Sequence, residues 1–295
     1  MRIAFLGLGA IGTPMAVHVA RQHDLVVWNR TGARAADFAG KHGCAVAQTP
    51  RAAASGAEAV ITCLPNSGDV EGLLEGPEGL LAGLAAGALF LDCTSGDPGR
   101  TRRIGERLAA AGVEFCDAPV SGGTNGAEAG TLTVMVGGTE ANFRRALPIL
   151  ESFGRRIEHM GPLGTGHAMK AVNNALLAVN ILAVGEGLTA LVKAGIDARK
   201  AVEVLNASSG RSFVSEYLVP ERVLTRLFPL TFRLALLDKD AGIAADVLES
   251  HGVEGPVLHL ASELLARAHA ELGDEADYLE PIRLIEQEAG VELRA

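Results

Sequence analysis

Lys170 and Asn174 lie one helical turn apart in the stretch GHAMKAVNNALL, near the start of a long apolar segment. Since an α-helix turns about 100° per residue, both side chains share one face of the predicted helix. An amine and an amide are costly to bury without a purpose. Alone, such a pair would be typical of a solvated helix end. Aimed at a substrate oxygen, the lysine could exchange a proton and stabilise an alkoxide.

A second polar cluster is the small-residue loop in DAPVSGGTNGAEAG, residues 117–130. Ser121 offers a hydroxyl, and Gly122 and Gly123 offer exposed backbone N–H groups. Successive amides of this kind bind anions, so the loop could hold a carboxylate. A plain turn would fit the same residues, and the choice depends on what faces the loop.

A third candidate is the glycine loop GLGAIGTPM, residues 7–15, which follows an apolar strand and opens a helix. Gly7 permits the tight turn, Gly9 allows the backbone to approach a pyrophosphate, and Gly12 lets the helix lie close to the strand. The phosphates would meet the N–H groups and the positive dipole of the helix N-terminus. The alternative is an ordinary turn between a strand and a helix. The intervening loop residues predicted to border the cofactor are Leu8, Ala10 and Ile11.

The end of the second strand, Asn29-Arg30-Thr31, indicates which dinucleotide binds. An acidic side chain at this place usually holds the adenosine ribose diol. Here a guanidinium and a hydroxyl are available instead, and both suit a 2′-phosphate. We therefore predict NADP in preference to NAD. The alternative is that Arg30 is a solvated surface charge.

The elements that must position these groups follow a βαβ pattern through residue 160. Short apolar runs such as RIAFLG, LVVWNR, EAVITCLP, GALFLDCT, EFCDAPV, TLTVMVGG and RRIEHMG alternate with amphipathic stretches. This predicts an α/β fold with an N-terminal Rossmann-type, doubly wound parallel sheet. After Gly166 only helical periodicity remains, beginning with one long helix from His167 to about Ala194. We predict a Rossmann domain over 1–163 and an all-α domain over 164–295.

Composition excludes several classes of protein. The formal charge of −9 argues against general binding to nucleic acid or anionic membranes. Four scattered cysteines have no metal-binding spacing and favour free thiols in the cytoplasm, with no metal site. The longest apolar stretch, 175–192, contains Asn180 and Glu186, which favours a buried helix over a membrane span.

Taken in order, six motifs resemble the β-hydroxyacid dehydrogenase family over essentially the whole chain. They are GLGAIGTPM, CLP at 63–65, DCTSGDP at 92–98, DAPVSGGTNGAEAG, GHAMKAVNN at 166–174 and LLDKDAGIA at 236–244. NASSGRS at 206–212 is more similar to the 3-hydroxyisobutyrate dehydrogenase branch than to the tartronate-semialdehyde or glyoxylate reductases.

The resemblance implies a role for each group. Lys170 is the implied catalytic acid and base, and Asn174 with Ser121-Gly122-Gly123 positions the substrate. Partial burial and the like charge of Lys239 are expected to lower the pKa of Lys170. His167 is interpreted as a helix-start residue and not a base. The further residues implied on the cofactor side are Leu64, Pro65, Asn66, Thr94, Ser95 and Lys239.

One motif departs from the family pattern. Where relatives usually read Ser-Thr, this chain reads Thr94-Ser95. A hydroxyl is kept at both positions, but the contact that each makes to the cofactor is left open.

The function implied is NAD(P)-dependent oxidation of a β-hydroxy acid, with 3-hydroxyisobutyrate converted to methylmalonate semialdehyde. The alternatives are a tartronate-semialdehyde, glyoxylate or succinic-semialdehyde reductase of the same family and, in another class, a non-catalytic dinucleotide-binding module. The apolar long helix predicts a homodimer or homotetramer, with Leu177 and Val184 on its outward face.

Overall fold

The computed structural model describes residues 1–295, which form two compact units, Met1–Lys170 and Ala171–Ala295. The predicted division at 163/164 stays a prediction, and the units divide a few residues later, inside a helix.

The first unit is built on a nine-stranded sheet in the order β3-β2-β1-β4-β5-β6-β8-β7, with β9 beside β8. The strands are Arg2–Leu6 (β1), Asp24–Trp28 (β2), Ala45–Val46 (β3), Ala59–Thr62 (β4), Leu89–Asp92 (β5), Glu114–Asp117 (β6), Val120–Ser121 (β7), Leu132–Gly137 (β8) and Gly154–Gly161 (β9). The helices are Gly12–Ala20 (α1), Gly32–His42 (α2), Pro50–Ala54 (α3), Ser67–Leu74 (α4), Pro98–Ala110 (α5), Gly123–Ala129 (α6) and Glu140–Leu150 (α7), with a 3₁₀ turn at Leu80–Ala82.

Strands β1 to β6 pair in parallel, as the alternation of strands and helices predicts. Their central residues are apolar without alternation because helices cover both faces of the sheet, and separate apolar clusters fill the two sides. The outer part differs from a fully parallel sheet, since β8 runs antiparallel to β6 and β7. Parallel pairing returns between β8 and β9.

The second unit is entirely helical, which confirms the predicted fold class. Its helices are the greater part of Thr165–Lys193 (α8), then Ala198–Asn206 (α9), Leu234–Ser250 (α10), Pro256–Leu272 (α11) and Pro281–Ala289 (α12), with a π-helix at Val214–Val223. One apolar cluster holds the unit together around residues such as Ile181, Leu237 and Leu265.

Helix α8 is the long helix that the sequence predicts, and Gly195 follows it with a positive φ of 89°. The predicted outward face is wrong: Leu177 and Val184 pack against the core of the second unit. Met169, Leu176, Ala183 and Ala190 are exposed instead, at a spacing of one residue in seven. By length and composition alone α8 would pass as a membrane span, a test that core helices of soluble proteins also pass.

Candidate functional site

The glycine loop between β1 and α1 leaves open space above its middle. A Cβ at Gly7, whose φ is +107°, would lie 2.3 Å from the Cys63 carbonyl oxygen. A Cβ at Gly12 would lie 2.0 Å from the Gly7 carbonyl oxygen. Gly9 has no atom within 4 Å of the equivalent point. Packing within the chain therefore requires glycine at positions 7 and 12, whereas Gly9 leaves room for a ligand.

The N-terminus of α1 also lacks a partner of its own. The N-cap is Ile11, which makes no side-chain hydrogen bond, and the first turn has no acidic residue. Helices α3, α4, α5, α7 and α9 have side-chain caps from Thr49, Asn66, Asp97, Thr139 and Asp197, whereas α2, α6, α10, α11 and α12 have none, as α1 has none. An uncapped N-terminus beside an open glycine suits an anionic ligand such as a pyrophosphate.

At the end of β2, Asn29 shapes the glycine loop. Its Oδ1 accepts a hydrogen bond from Leu8 N at 3.0 Å, and its Nδ2 donates to the Thr31 carbonyl at 3.1 Å. Arg30 is 85% exposed, and its Nη1 lies 3.7 Å from Asp69 Oδ1 on α4. Of the three predicted residues, Arg30 and Thr31 are exposed and able to meet a ligand, and Asn29 is half-buried.

Sequence reasoning missed a second cation, Arg34. It lines a pocket of about 500 Å³ that also borders Leu8, Gly9, Ala10 and Thr13. The signal was present in the sequence, because Arg34 follows Arg30 by four residues at the start of α2. The remaining lining residues, all on α2, are Asp37, Phe38, Lys41 and His42.

The predicted groups after β4 and β5 are joined by hydrogen bonds. Leu64 N donates to Thr94 Oγ1 at 3.1 Å, and Thr94 N donates to Asp92 Oδ1 at 3.1 Å. Asn66 caps α4, since its Oδ1 accepts from Asp69 N and its Nδ2 donates to Asp69 Oδ2, both at 2.9 Å. The Asn66 amide is thus already engaged within the chain. Pro65 and Ser95 lie in the same two loops.

These loops share one edge of the sheet. Because β1, β2, β4 and β5 are parallel and adjacent, their carboxyl ends place the loops that begin at Gly7, Asn29, Cys63 and Cys93 side by side. Ligands of open α/β sheets bind at this edge. Burial raises the pKa of the Cys63 thiol to about 12 and holds the pKa of the Cys93 thiol well above its usual value, so the two cysteines here are unreactive packing residues.

Ser121 ends the short strand β7, opposite Thr133 of β8. The next two residues need glycine for conformational reasons, since φ is +136° at Gly122 and +63° at Gly123. A Cβ at Gly122 would also lie 3.1 Å from Leu132 Cδ2. The chain therefore turns sharply after Ser121, in the way that its small residues predict.

Lys170 is buried, with 9% of its surface exposed, in the second turn of α8. The start of this helix is fixed by Asp117 at the end of β6. Its Oδ1 accepts from Gly164 N at 2.7 Å and its Oδ2 from His167 N at 2.8 Å. A Cβ at Gly166 would lie 2.3 Å from the Met135 carbonyl oxygen, so the helix packs directly on β8.

His167 does lie in the first turn of α8, as predicted, but it is more than a helix-start residue. Its ring is fully buried, and Nδ1 lies 2.6 Å from Thr101 Oγ1. Sequence reasoning missed Thr101, Asp92 and Asp117, because their partners are far away along the chain.

In the second unit, Asp240 links Asn174 to Lys239. Asn174 Nδ2 donates to Asp240 Oδ2 at 2.6 Å, and Lys239 Nζ lies 2.7 Å from Asp240 Oδ1. Asn174 Oδ1 also accepts from Asn173 Nδ2 at 3.0 Å. The charge of Lys239 therefore has a carboxylate beside it, which sequence reasoning did not include. The expected effect of Lys239 on the pKa of Lys170 stays a prediction.

Two family models match consecutive parts of the chain. Residues 2–161 match the NAD binding domain of 6-phosphogluconate dehydrogenase. Residues 164–285 match the model described as NAD-binding of NADP-dependent 3-hydroxyisobutyrate dehydrogenase.

Individual relatives match at similar identity but carry different names. The 2-(hydroxymethyl)glutarate dehydrogenase of Eubacterium barkeri is 35% identical, covering 99% of this chain and 97% of the relative. The 2-hydroxy-3-oxopropionate reductase of Escherichia coli is 33% identical, covering 97% of each. The solved structure of 3-hydroxyisobutyrate dehydrogenase from Mycobacterium tuberculosis with L-serine is 32% identical, with a TM-score of 0.87 over 96% of this chain and 98% of that one.

Proposed function

Since the chain belongs to the β-hydroxyacid dehydrogenase family, we propose that it oxidises a short β-hydroxy acid with NADP, converting 3-hydroxyisobutyrate to methylmalonate semialdehyde. The observation that carries this proposal is the buried Lys170, held in the second turn of a helix whose start is fixed by Asp117. A lysine amine that is buried at a fixed position in a helix is a candidate for acid–base catalysis.

The proposed chemistry assigns one task to each group of this chain. Bound nicotinamide supplies the hydride acceptor. Lys170 takes the proton from the substrate hydroxyl during oxidation and returns it during reduction. Ser121, with the amides of Gly122 and Gly123, binds the carboxylate and so fixes the distance from carboxylate to carbinol. Asn174, oriented by Asp240, donates or accepts a hydrogen bond without titrating.

The preference for NADP is supported by the charges around the end of β2. Arg30 and Arg34 supply two guanidinium groups near the glycine loop, and Arg30 has no carboxylate closer than the weak pair with Asp69. A 2′-phosphate is bound well by guanidinium groups. The pyrophosphate would lie over Gly9 at the uncapped start of α1.

Several short hydroxy acids are candidate substrates. The names of the relatives cover a dicarboxylic hydroxy acid, a semialdehyde and 3-hydroxyisobutyrate, all of which place a carboxylate close to the reacting carbon. A reductase acting on tartronate semialdehyde, glyoxylate or succinic semialdehyde is therefore the second candidate. A non-catalytic dinucleotide-binding module is the alternative in another class.

Steady-state kinetics with a panel of substrates separate these functions. The panel contains 3-hydroxyisobutyrate, 2-(hydroxymethyl)glutarate, L-serine, tartronate semialdehyde, glyoxylate and succinic semialdehyde, each with NADP(H) and NAD(H). We expect the highest kcat/KM for 3-hydroxyisobutyrate with NADP. A higher value for a semialdehyde would favour the second candidate. Cofactor binding without turnover of any compound would favour the non-catalytic module.

A further inference from the structure

The hydrogen bond of His167 with Thr101 defines which ring nitrogen carries a proton. Thr101 Oγ1 donates its single proton to the Asp97 carbonyl oxygen at 2.8 Å. The Thr101 oxygen is therefore an acceptor toward His167 Nδ1, 2.6 Å away. It follows that the imidazole carries a proton on Nδ1. This hydrogen bond joins the first turn of α8 to the first turn of α5.

The other ring nitrogen faces a buried carboxylate. His167 Nε2 lies 3.9 Å from Asp92 Oδ2, and neither atom has a hydrogen-bond partner. Asp92 Oδ1 already accepts from Thr62 Oγ1 at 2.8 Å and from Thr94 N at 3.1 Å. His167 Nε2 therefore lies beside the one Asp92 oxygen that accepts no hydrogen bond.

The ring also fills the space beside the loop that follows β5. A Cβ at Gly96 would lie 2.7 Å from His167 Cε1 and 2.7 Å from Ser67 Oγ. Thr94 and Ser95, the residues expected to meet the cofactor, directly precede this glycine. His167 itself precedes Lys170 by three residues, a spacing that puts both on adjoining parts of one helix face.

We propose that His167 is a positioning residue for Lys170. Its ring is held by the hydrogen bond from Nδ1 to Thr101 and by its close packing beside Gly96, and it fixes the first turn of the helix that carries Lys170. His167 does not contact the substrate or exchange its proton. The inference rests on the proposed function, because it assigns the catalytic role to Lys170.

The first test is a pair of conservative substitutions. His167→Asn places an amide nitrogen where Nδ1 lies and keeps the bond to Thr101, whereas Thr101→Val removes the acceptor and keeps the shape. We expect Thr101→Val to lower kcat about 10- to 100-fold, with His167→Asn losing less. KM for substrate and cofactor should change by less than about threefold, since the binding groups are unchanged.

A double-mutant cycle distinguishes positioning from loss of stability. In the Lys170→Ala background, Thr101→Val should cost no further activity, because the group that it misplaces is absent. Thr189→Val is the matched control: it removes a buried hydroxyl without a partner from the same helix and should leave kcat unchanged. Thermal unfolding of every variant reports whether the fold is kept.

A second readout does not depend on turnover. In protein labelled with ¹³C-lysine, the Lys170 side-chain resonance is identified by its loss in Lys170→Ala. It should move in Thr101→Val, while that of Lys41 on α2 stays in place. An unmoved Lys170 resonance, or losses that multiply in the double variant, would overturn the inference. Full activity of Lys170→Ala would instead refute the proposed function.

Discussion

The buried amine of Lys170 can be tested directly by its removal. Lys170→Ala should lower kcat by about two to four decades, because proton transfer to or from the reacting oxygen is lost. Binding of NADP(H), measured by fluorescence titration, should be kept, since the lysine acts on the substrate. Lys193→Ala, at the opposite and exposed end of α8, is the control. Retention of most activity in Lys170→Ala would refute the mechanism.

Cofactor choice can be tested at Arg30 and at its neighbour Asp69. Arg30→Asp should weaken the binding of NADP(H) far more than the binding of NAD(H), because it replaces a cation beside the 2′-phosphate with an anion. Asp69→Asn should have the opposite effect, because the carboxylate 3.7 Å from Arg30 competes with that phosphate.

The measurement for both variants is the ratio of kcat/KM for the two cofactors. Arg21→Asp changes the net charge of the first unit equally at an exposed site beyond α1 and should leave the ratio unchanged. If Arg30→Asp also leaves the ratio unchanged, Arg30 is only a surface charge.

Some residues of the candidate site could be predicted from the sequence and others could not. The glycine loop and the sharp turn after Ser121 could be predicted, because short-range spacing specifies both, whereas the role of Lys170 is implied by the family resemblance and stays a prediction. Asp92, Asp117, Thr101 and Asp240 could not be predicted. Asp117 binds amides 47 and 50 residues later, and Thr101 meets His167 after 66 residues. Such pairs are set by how the sheet brings distant strands and helices together.

At the scale of elements, His269 joins α11 to α10 in a manner that depends on pH. Its Nδ1 lies 2.8 Å from Asp238 Oδ2, and its Nε2 lies 2.9 Å from Asp274 Oδ1. The hydrogen bond to Asp238, followed by the one to Asp274, raises the pKa of His269 above 6.5. The stabilisation is therefore complete below about pH 6.5 and is lost as the pH rises through the raised value.

His269→Gln should accordingly lower Tm more at pH 5.5 than at pH 9. The effect should be below about 1 kcal/mol, because the pairs are partly exposed. Asp238→Asn should show the same pH dependence, because it removes the hydrogen bond that contributes most to the raised pKa of His269. If Tm falls equally at both pH values, the ion pairs of His269 are not the source of the stabilisation.

The order of strands and helices was predictable, and the direction of the last strands was not. Apolar runs separated by amphipathic stretches are typical of parallel strands with helical crossovers, and β1 to β6 follow that rule. Between β6 and β8 lie only β7 and the seven-residue helix α6. This connection brings β8 into the sheet antiparallel to β6, a pairing that no local pattern specifies.

At the scale of the whole molecule, we propose that the exposed stripe of α8 is covered by a second copy of the chain. Met169 and Leu176 are 44% and 51% exposed, and Ala183 and Ala190 continue the stripe. Leu176→Glu should dissociate a homodimer or homotetramer, because a charge would be buried without a partner. Multi-angle light scattering measures the mass.

A matched substitution controls for the added charge. Val204→Glu, on α9, introduces the same charge at an exposed apolar residue off the stripe and should leave the mass unchanged. A monomeric wild type with full activity at micromolar concentration would contradict the assembly.

The Asp117 cap has a consequence for how such a protein can be divided or recombined. The second compact unit begins at Ala171, yet its first helix begins at Thr165 and is capped by Asp117, which accepts hydrogen bonds from Gly164 N and His167 N. A fragment or gene fusion joined at 163/164 would therefore separate α8 from its cap, although the junction falls between the two family matches. Recombination between relatives can exchange the helical part only if the incoming α8 finds a carboxylate at the end of β6.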